Sequence, residues 1–174
     1  MLDSDLTRLF REYHAPLVRY LTRRLGDRDW AEEVAQETFV RAMRQDVLTS
    51  ERSWLFAVAT NLVRDQARAD SRRRKHLELL QAEERDRVVE PEDNAMERAE
   101  ERADARKALD ELAERDRHAL LMREEGLNYQ EIAEALGLTA GSIGTTLSRA
   151  RRRLAEAYDT LQRERDRRSG NAAS

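Results

Sequence analysis

Residues 128–154 read NYQEIAEALGLTAGSIGTTLSRARRRL, and this stretch decides the fold. Ala133 is followed four residues later by Gly137 and six after that by Ile143, with Ile132, Leu136 and Leu138 as apolar positions around them. A helix-turn-helix needs this pattern. The small Ala lets the second helix cross closely, Gly takes the turn, and Ile pins the second helix onto the first. Asn128 is placed to cap the first helix and Thr139 the second. The second helix runs into Arg149, Arg151, Arg152 and Arg153, side chains long enough to reach phosphates. The pattern is that of a module that reads DNA.

Working outward, the rest of the chain has few strand formers and few breakers. Of 174 residues, 5% are aromatic and 39% charged, with six Gly and two Pro, which predicts an all-α chain. Its core must come from Leu, Ala and Val, and two small helical domains suit that supply better than one large core. Cys is absent, so disulfides and Cys-based zinc sites are excluded. His14, His76 and His118 are scattered and read as surface or helix-end positions rather than a metal cluster. No Gly-rich phosphate loop or Ser-His-Asp arrangement occurs, so neither an enzyme nor a cofactor is expected. The start, MLDSDLTRLF, lacks a basic region followed by an apolar run, and no apolar segment approaches the roughly 18 residues needed to span a membrane. A soluble, cytoplasmic protein without membrane insertion is expected.

The net charge of −3 argues against nucleic acid until its distribution is considered. Residues 64–75 carry a net +4 and residues 149–168 another +4, whereas residues 83–104 carry −6. Two basic segments separated by an acidic one suggest two DNA contacts on separate bodies.

Along the chain, residues 5–24 place Leu6, Leu9, Phe10, Tyr13, Leu17, Tyr20 and Leu21 at helical spacing. Pro16 predicts a kink or break near Ala15. After a turn at Gly26 and Asp27, Asp29 is positioned to cap a helix to about Arg44, with Glu32 as its capping-box partner. Val34, Ala35, Phe39, Ala42 and Met43 form its buried face. Residues 45–52, QDVLTSER, read as a loop. Ser53 then caps a helix from Trp54 to about Lys75, striped by Leu55, Val58, Ala59, Leu62 and Val63. Pro91 breaks any helix through VVEPEDN, and residues 80–103 read as a flexible acidic linker, partly helical at its ends and mobile around Pro91. A helix or helix pair over 104–124 turns Ala108, Leu109, Leu112, Leu120, Leu121 and Met122 inward and ends at Gly126. The chain thus divides into an N-terminal domain over 1–79, the linker, a C-terminal helix-turn-helix domain over 104–168, and a disordered tail, SGNAAS, over 169–174.

Three segments now carry a family resemblance. AEEVAQETFVRAMR (31–44), RSWLFAVATNLVRDQAR (52–68) and ALDELAERDRHALLMREEGLNYQEIAEALGLTAGSIGTTLSRARRRL (108–154), in that order, resemble a bacterial RNA polymerase sigma factor of the extracytoplasmic-function (ECF) class. The resemblance covers most of residues 5–155. It implies that the first segment docks on the clamp helices of the largest polymerase subunit, the second melts and reads the downstream (−10) promoter box, and the third reads the upstream (−35) box. It also implies core RNA polymerase, its flap included, and promoter DNA as partners, and an anti-sigma factor as regulator. The chain is expected to be a monomer when free.

The residues support particular assignments. On the 29–44 helix, Glu32, Glu33, Gln36, Glu37, Arg41 and Arg44 line the outer face. From the residues alone this reads as an ordinary solvated face with a Glu37–Arg41 pair. The resemblance makes Glu33, Gln36, Glu37 and Arg41 polymerase contacts, with Phe39 in the core. On the third helix Trp54 reads as a core aromatic, while Thr60, Asn61, Arg64 and Arg68 lie on the polar face. By resemblance, the 45–52 loop and the helix start, with Ser53, form a pocket for a base that leaves the stack. Arg72, Arg73, Arg74 and Lys75 either hold phosphates or are plain surface charge. The acidic linker likewise reads either as an imitation of nucleic acid in a basic channel or as a solvated tether. On the recognition helix, Ile143, Leu147, Ala150 and Leu154 turn inward by their four-three-four spacing. Thr139, Ser142, Thr145, Thr146, Arg149 and Arg152 are then left for DNA. Many family members carry Lys or Arg where this chain has Gly144 and Thr146, which shifts specificity toward hydroxyl contacts or DNA shape.

Two other readings compete with this one. A stand-alone helix-turn-helix regulator needs a sensor or a dimer interface, which residues 1–80 do not resemble. A sigma-like decoy for an anti-sigma factor should lack the basic runs and carry a receiver-type domain.

Overall fold

The computed structural model describes residues 3–77 and 93–172, with side chains described at all of these except 68, 71–77, 93–95 and 172. Among the described residues seven helices follow one another: α1 (Asp3–Leu25), α2 (Arg28–Met43), α3 (Glu51–Leu77), α4 (Asp93–Asp110), α5 (Glu114–Glu124), α6 (Tyr129–Leu136) and α7 (Ala140–Ala172). The described residues contain no strand, in accord with the all-α expectation. None of these helices is long and apolar enough to cross a membrane.

α1, α2 and α3 pack together as an N-terminal body, and α4, α5, α6 and α7 as a C-terminal one. Pro16 does not break α1, which runs as a single 23-residue helix. Leu9 on one side of the proline and Leu17, Val18, Tyr20 and Leu21 on the other are all buried against the same body. That burial outweighs the roughly 3 kcal/mol that an interior proline costs a helix. The cap of α2 also differs from expectation. Gly26, at φ 74°, ends α1, and Asp27 rather than Asp29 accepts the Trp30 amide at 3.0 Å. The helix therefore starts before Asp29, and Glu32 pairs with His14 instead of closing a capping box. Val34, Ala35, Phe39 and Ala42 are buried as expected, but Met43 is 55% exposed.

The third helix starts three residues early, at Glu51 rather than Trp54. The Ser50 carbonyl takes the Trp54 amide at 2.8 Å, so Ser53 is an interior residue of α3 rather than its cap. At the centre, the Tyr20 hydroxyl lies 2.7 Å from Thr60 Oγ1, which itself donates to the Phe56 carbonyl at 2.7 Å. The Tyr20 hydroxyl must then be the donor to Thr60. Burial pushes the Tyr20 phenol up to about 12.

Residues 78–92, including Pro91 and most of the predicted linker, lie outside the described residues. The linker's last part is helical: α4 covers 93–103 and continues past the predicted boundary at 104, held on α7 by an Asp104–Arg165 ion pair. A helical end is expected there; the tail, expected to be disordered, differs, since α7 continues through Ala172. The 104–124 segment is a helix pair, as anticipated, with Ala108, Leu112, Leu120, Leu121 and Met122 buried.

The two bodies are not held apart. Leu9, Leu17, Leu21, Leu55 and Phe56 of the first belong to one contiguous apolar cluster with Met122, Leu127, Ile132, Ile143 and Leu147 of the second. His118 lies inside this junction at 1% exposure, contrary to its surface assignment, and Arg24 of α1 donates to its Nε2 at 3.2 Å.

Candidate nucleic-acid interface

The helix-turn-helix is built as its residues dictate. Asn128 accepts the Glu131 amide at 2.9 Å while Glu131 takes the Asn128 amide at 2.9 Å, a complete capping box. Gly137 adopts φ 67°, ψ 35°, and the Leu138 amide folds back on the Ala133 carbonyl at 2.8 Å. This left-handed termination is the geometry that favours glycine. Ala133 and Ile143 are buried where α6 meets α7, and Leu147 and Ala150 continue the inward stripe. At the start of α7 the bonds go to the Thr139 carbonyl, which accepts from the Ser142 amide at 3.1 Å and hydroxyl at 2.8 Å.

The outer face of α7 is only partly the predicted one. Thr139, Thr145 and Arg152 are exposed and Ser142 is half-buried. Thr146 does not face outward: it is buried, and its hydroxyl donates to the Ser142 carbonyl at 2.9 Å. A hydroxyl in mid-helix often satisfies itself on the preceding turn in this way. Ser148, which the sequence reading leaves out, takes the exposed place beside Thr145. Its three-residue spacing from Thr145 is the signal that could have found it. Arg149 is half-buried and bonded to Asp116 of α5.

On α3, Asn61 is exposed and Arg64 half-buried, as the polar face requires. Thr60 is buried and presents no side chain to a ligand, whereas Ser53, also buried, lines a cleft at the start of α3. Packing against Tyr20 turns Thr60 inward. Arg68, Arg72 and Arg73 lie on α3, but their side chains, like that of His76, are outside the described residues. Between residues 45–50 and the start of α3 is a cleft of about 380 Å³, lined by Val47, Leu48, Thr49, Ser50, Ser53 and Trp54, with Glu134 of α6 among its walls. Trp54 is therefore half-buried between core and cleft rather than fully in the core.

On α2, Glu33, Gln36 and Arg41 are exposed, and Arg41 Nε donates to the half-buried Glu37 at 2.9 Å. Val40 and Met43, with Val47 beyond the helix end, expose apolar surface beside them. Sequence reading misses this apolar element because it assigns Met43 to the core.

Carboxylates of the C-terminal body meet guanidinium groups of the N-terminal one. Arg64 bonds Glu114 at 2.6 Å, Arg52 bonds Glu131 at 2.9 Å, and Arg19 and Arg23 reach Glu125 at 3.1 and 3.4 Å. The Arg64 guanidinium holds the Glu114 carboxyl below its ordinary range. No group of three or more His, Cys, Asp or Glu able to hold a metal occurs among the described residues.

Family comparison agrees with this layout. The Sigma-70 region 2 model matches residues 9–73, and the Sigma-70, region 4 model matches residues 102–154. The chain is 30% identical over 169 residues to RNA polymerase sigma factor YlaC of Bacillus subtilis, across 91% of this chain and 94% of that protein. It is 35% identical over 150 residues to ECF RNA polymerase sigma factor SigE of Mycolicibacterium smegmatis, across 81% of this chain and 57% of that protein. Its fold is similar to the sigma factor RpoE of Bartonella quintana, solved with the anti-sigma factor NepR, at TM-score 0.64 and 22% identity over 89% of this chain and 97% of that one. With region 2 on the N-terminal body and region 4 on the helix-turn-helix body, the chain belongs to the RNA polymerase sigma factors, in their ECF class.

Proposed function

We propose that this chain gives core RNA polymerase its promoter specificity, recognising the −35 and −10 elements and helping to melt the DNA between them and the start site. The polymerase makes the bonds; this chain supplies recognition. The observation that carries the reading is the pairing, in one chain, of a capped helix-turn-helix with a second helix, α3, that presents Asn61 and Arg64 and is bordered by a cleft. The C-terminal body, from α4 onward, reads the upstream box through Thr139, Ser142, Thr145, Ser148, Arg149 and Arg152. Asn61 and Arg64, followed by Arg68, Arg72 and Arg73, serve the downstream box. An unstacked base fits the cleft beside Trp54, where aromatic and apolar walls favour stacking. The α2 face, with Glu33, Gln36, Glu37 and Arg41 around exposed Val40, docks on the polymerase clamp helices. The chain works in the bacterial cytoplasm, and an anti-sigma factor restrains it.

Transcription in vitro from a pool of genomic promoters, with core polymerase and with or without the chain, tests this. New start sites sharing two spaced boxes are expected, and Glu37→Lys should abolish them through lost core binding. Binding to core without new starts would favour the decoy. Binding to duplex DNA but never to core would favour the stand-alone regulator.

A further inference from the structure

Asp116 is an acidic residue buried to 1% exposure in the first turn of α5. A carboxylate in that position must be paired, because an unpaired buried charge is costly. Its partner is Arg149 of the recognition helix: Nε donates to Oδ2 at 2.7 Å and Nη2 to Oδ1 at 2.6 Å. The contact consumes the side edge of the guanidinium. The end edge, formed by Nη1 and the second Nη2 hydrogen, has no partner among the described residues. The Arg149 side chain remains 34% exposed, against 2% for Asp116. Thr145, one turn earlier, and Ser148 and Arg152 beside it are exposed on the same helix.

Two physical consequences follow. A guanidinium is a rigid planar fork, so a bidentate partner behind it fixes the plane in which its remaining donors lie. Its rotamer entropy is then lost on folding rather than on binding. The pair is also close to neutral, which makes Arg149 a poor phosphate clamp, since phosphate binding is driven by uncompensated positive charge. Arg151, Arg152 and Arg153 are exposed and form no ion pair among the described residues, and they suit that role better. A neutralised, oriented fork suits a directional acceptor pair, and the O6 and N7 atoms of guanine in the major groove are such a pair.

We propose that Asp116 is a positioning residue that aims the end edge of Arg149 at a guanine of the upstream box. This rests on the promoter-reading function above. It adds that base readout at one position is set by a residue on α5 that does not itself touch DNA.

The test uses the full chain assembled with core polymerase. Duplexes carry the upstream box recovered from the promoter pool, each base pair substituted in turn, beside an unrelated duplex. Asp116→Asn keeps the shape but replaces one acceptor by a donor. It should lower discrimination at a single G·C pair about tenfold, while affinity for the unrelated duplex stays the same or rises. Arg149→Lys keeps the charge but cannot make the fork. It should lose discrimination at the same pair, and the double variant should be no worse than Arg149→Lys alone. Thermal unfolding of each variant accompanies the binding data. If Asp116→Asn fails to fold, Arg149→Lys decides alone. Undiminished discrimination in Arg149→Lys, or an equal loss on all duplexes in a folded Asp116→Asn, overturns the proposal. A wild-type holoenzyme with no upstream preference would instead sink the promoter-reading function itself.

Discussion

Arg64 of α3 and Glu114 of α5 are joined at 2.6 Å, so a side chain proposed to meet the downstream box is held by a carboxylate of the helix-turn-helix body. Glu131 takes Arg52 and Glu125 takes Arg19 and Arg23 across the same junction. The carboxylates occupy guanidinium groups much as phosphates would.

Releasing Arg64 should therefore favour DNA. Glu114→Gln removes the charge but keeps the shape. Because the pair is partly exposed, its contribution is small, roughly 0.2–1 kcal/mol. The variant should bind a single-stranded downstream-box oligonucleotide more tightly, by up to about fivefold at low salt, and the gain should shrink as salt rises. Fluorescence anisotropy measures it; weaker binding would mean that Glu114 supports the DNA-competent form.

The buried imidazole at the junction makes stability depend on pH. Burial pushes His118 from its ordinary 6.5 down to about 3, with nearby Arg24 adding to the effect. Arg24 Nε donates to Nε2, which requires a neutral ring with that nitrogen as acceptor. Below pH 6.5 the unfolded chain binds a proton that the folded chain refuses, so stability is complete above that pH and falls as pH drops toward 3. Between pH 7 and 5 the loss is about 2 kcal/mol. His118→Gln, which can still accept from Arg24, should lose less by that amount in urea titrations at the two pH values. Equal losses in both proteins would place the protonation elsewhere.

Two glycines of the helix-turn-helix should respond oppositely to the same change. A Cβ at Gly137 meets nothing within 4 Å, but its φ of 67° strains any L side chain. Gly137→Ala should cost about 1 kcal/mol. Gly144 lies in α7, where an added Cβ would sit 3.7 Å from Tyr129 Cε2, an ordinary contact. Gly144→Ala should stabilise by about 1 kcal/mol, the helix propensity difference. Thermal unfolding reads both signs.

Legibility in the sequence follows the range of the determinants. The helix-turn-helix is specified locally: Asn128, Ala133, Gly137 and Ile143 lie within sixteen residues, and each does what its chemistry predicts. Pro16 misleads because tertiary packing on both sides of it overrides a local propensity. Thr60 and Thr146 mislead because polar type on a helix suggests a side chain facing water. Thr60 and Thr146 instead satisfy their hydroxyls on carbonyls four residues earlier. The junction is not legible at all. Its partners, such as Arg19 and Glu125 or Arg64 and Glu114, are 106 and 50 residues apart, and no local pattern records them. The exposed Val40 and Met43 are hidden for the opposite reason, since apolar type on a helix suggests the core.

A sigma factor of this kind should let core polymerase open a promoter. Permanganate reactivity of thymines in a promoter recovered from the pool tests it most directly. With core polymerase and the chain together, thymines in and just downstream of the −10 box should become reactive, and with either component alone they should not. Bound ternary complexes whose thymines stay unreactive would rule out promoter opening by this chain.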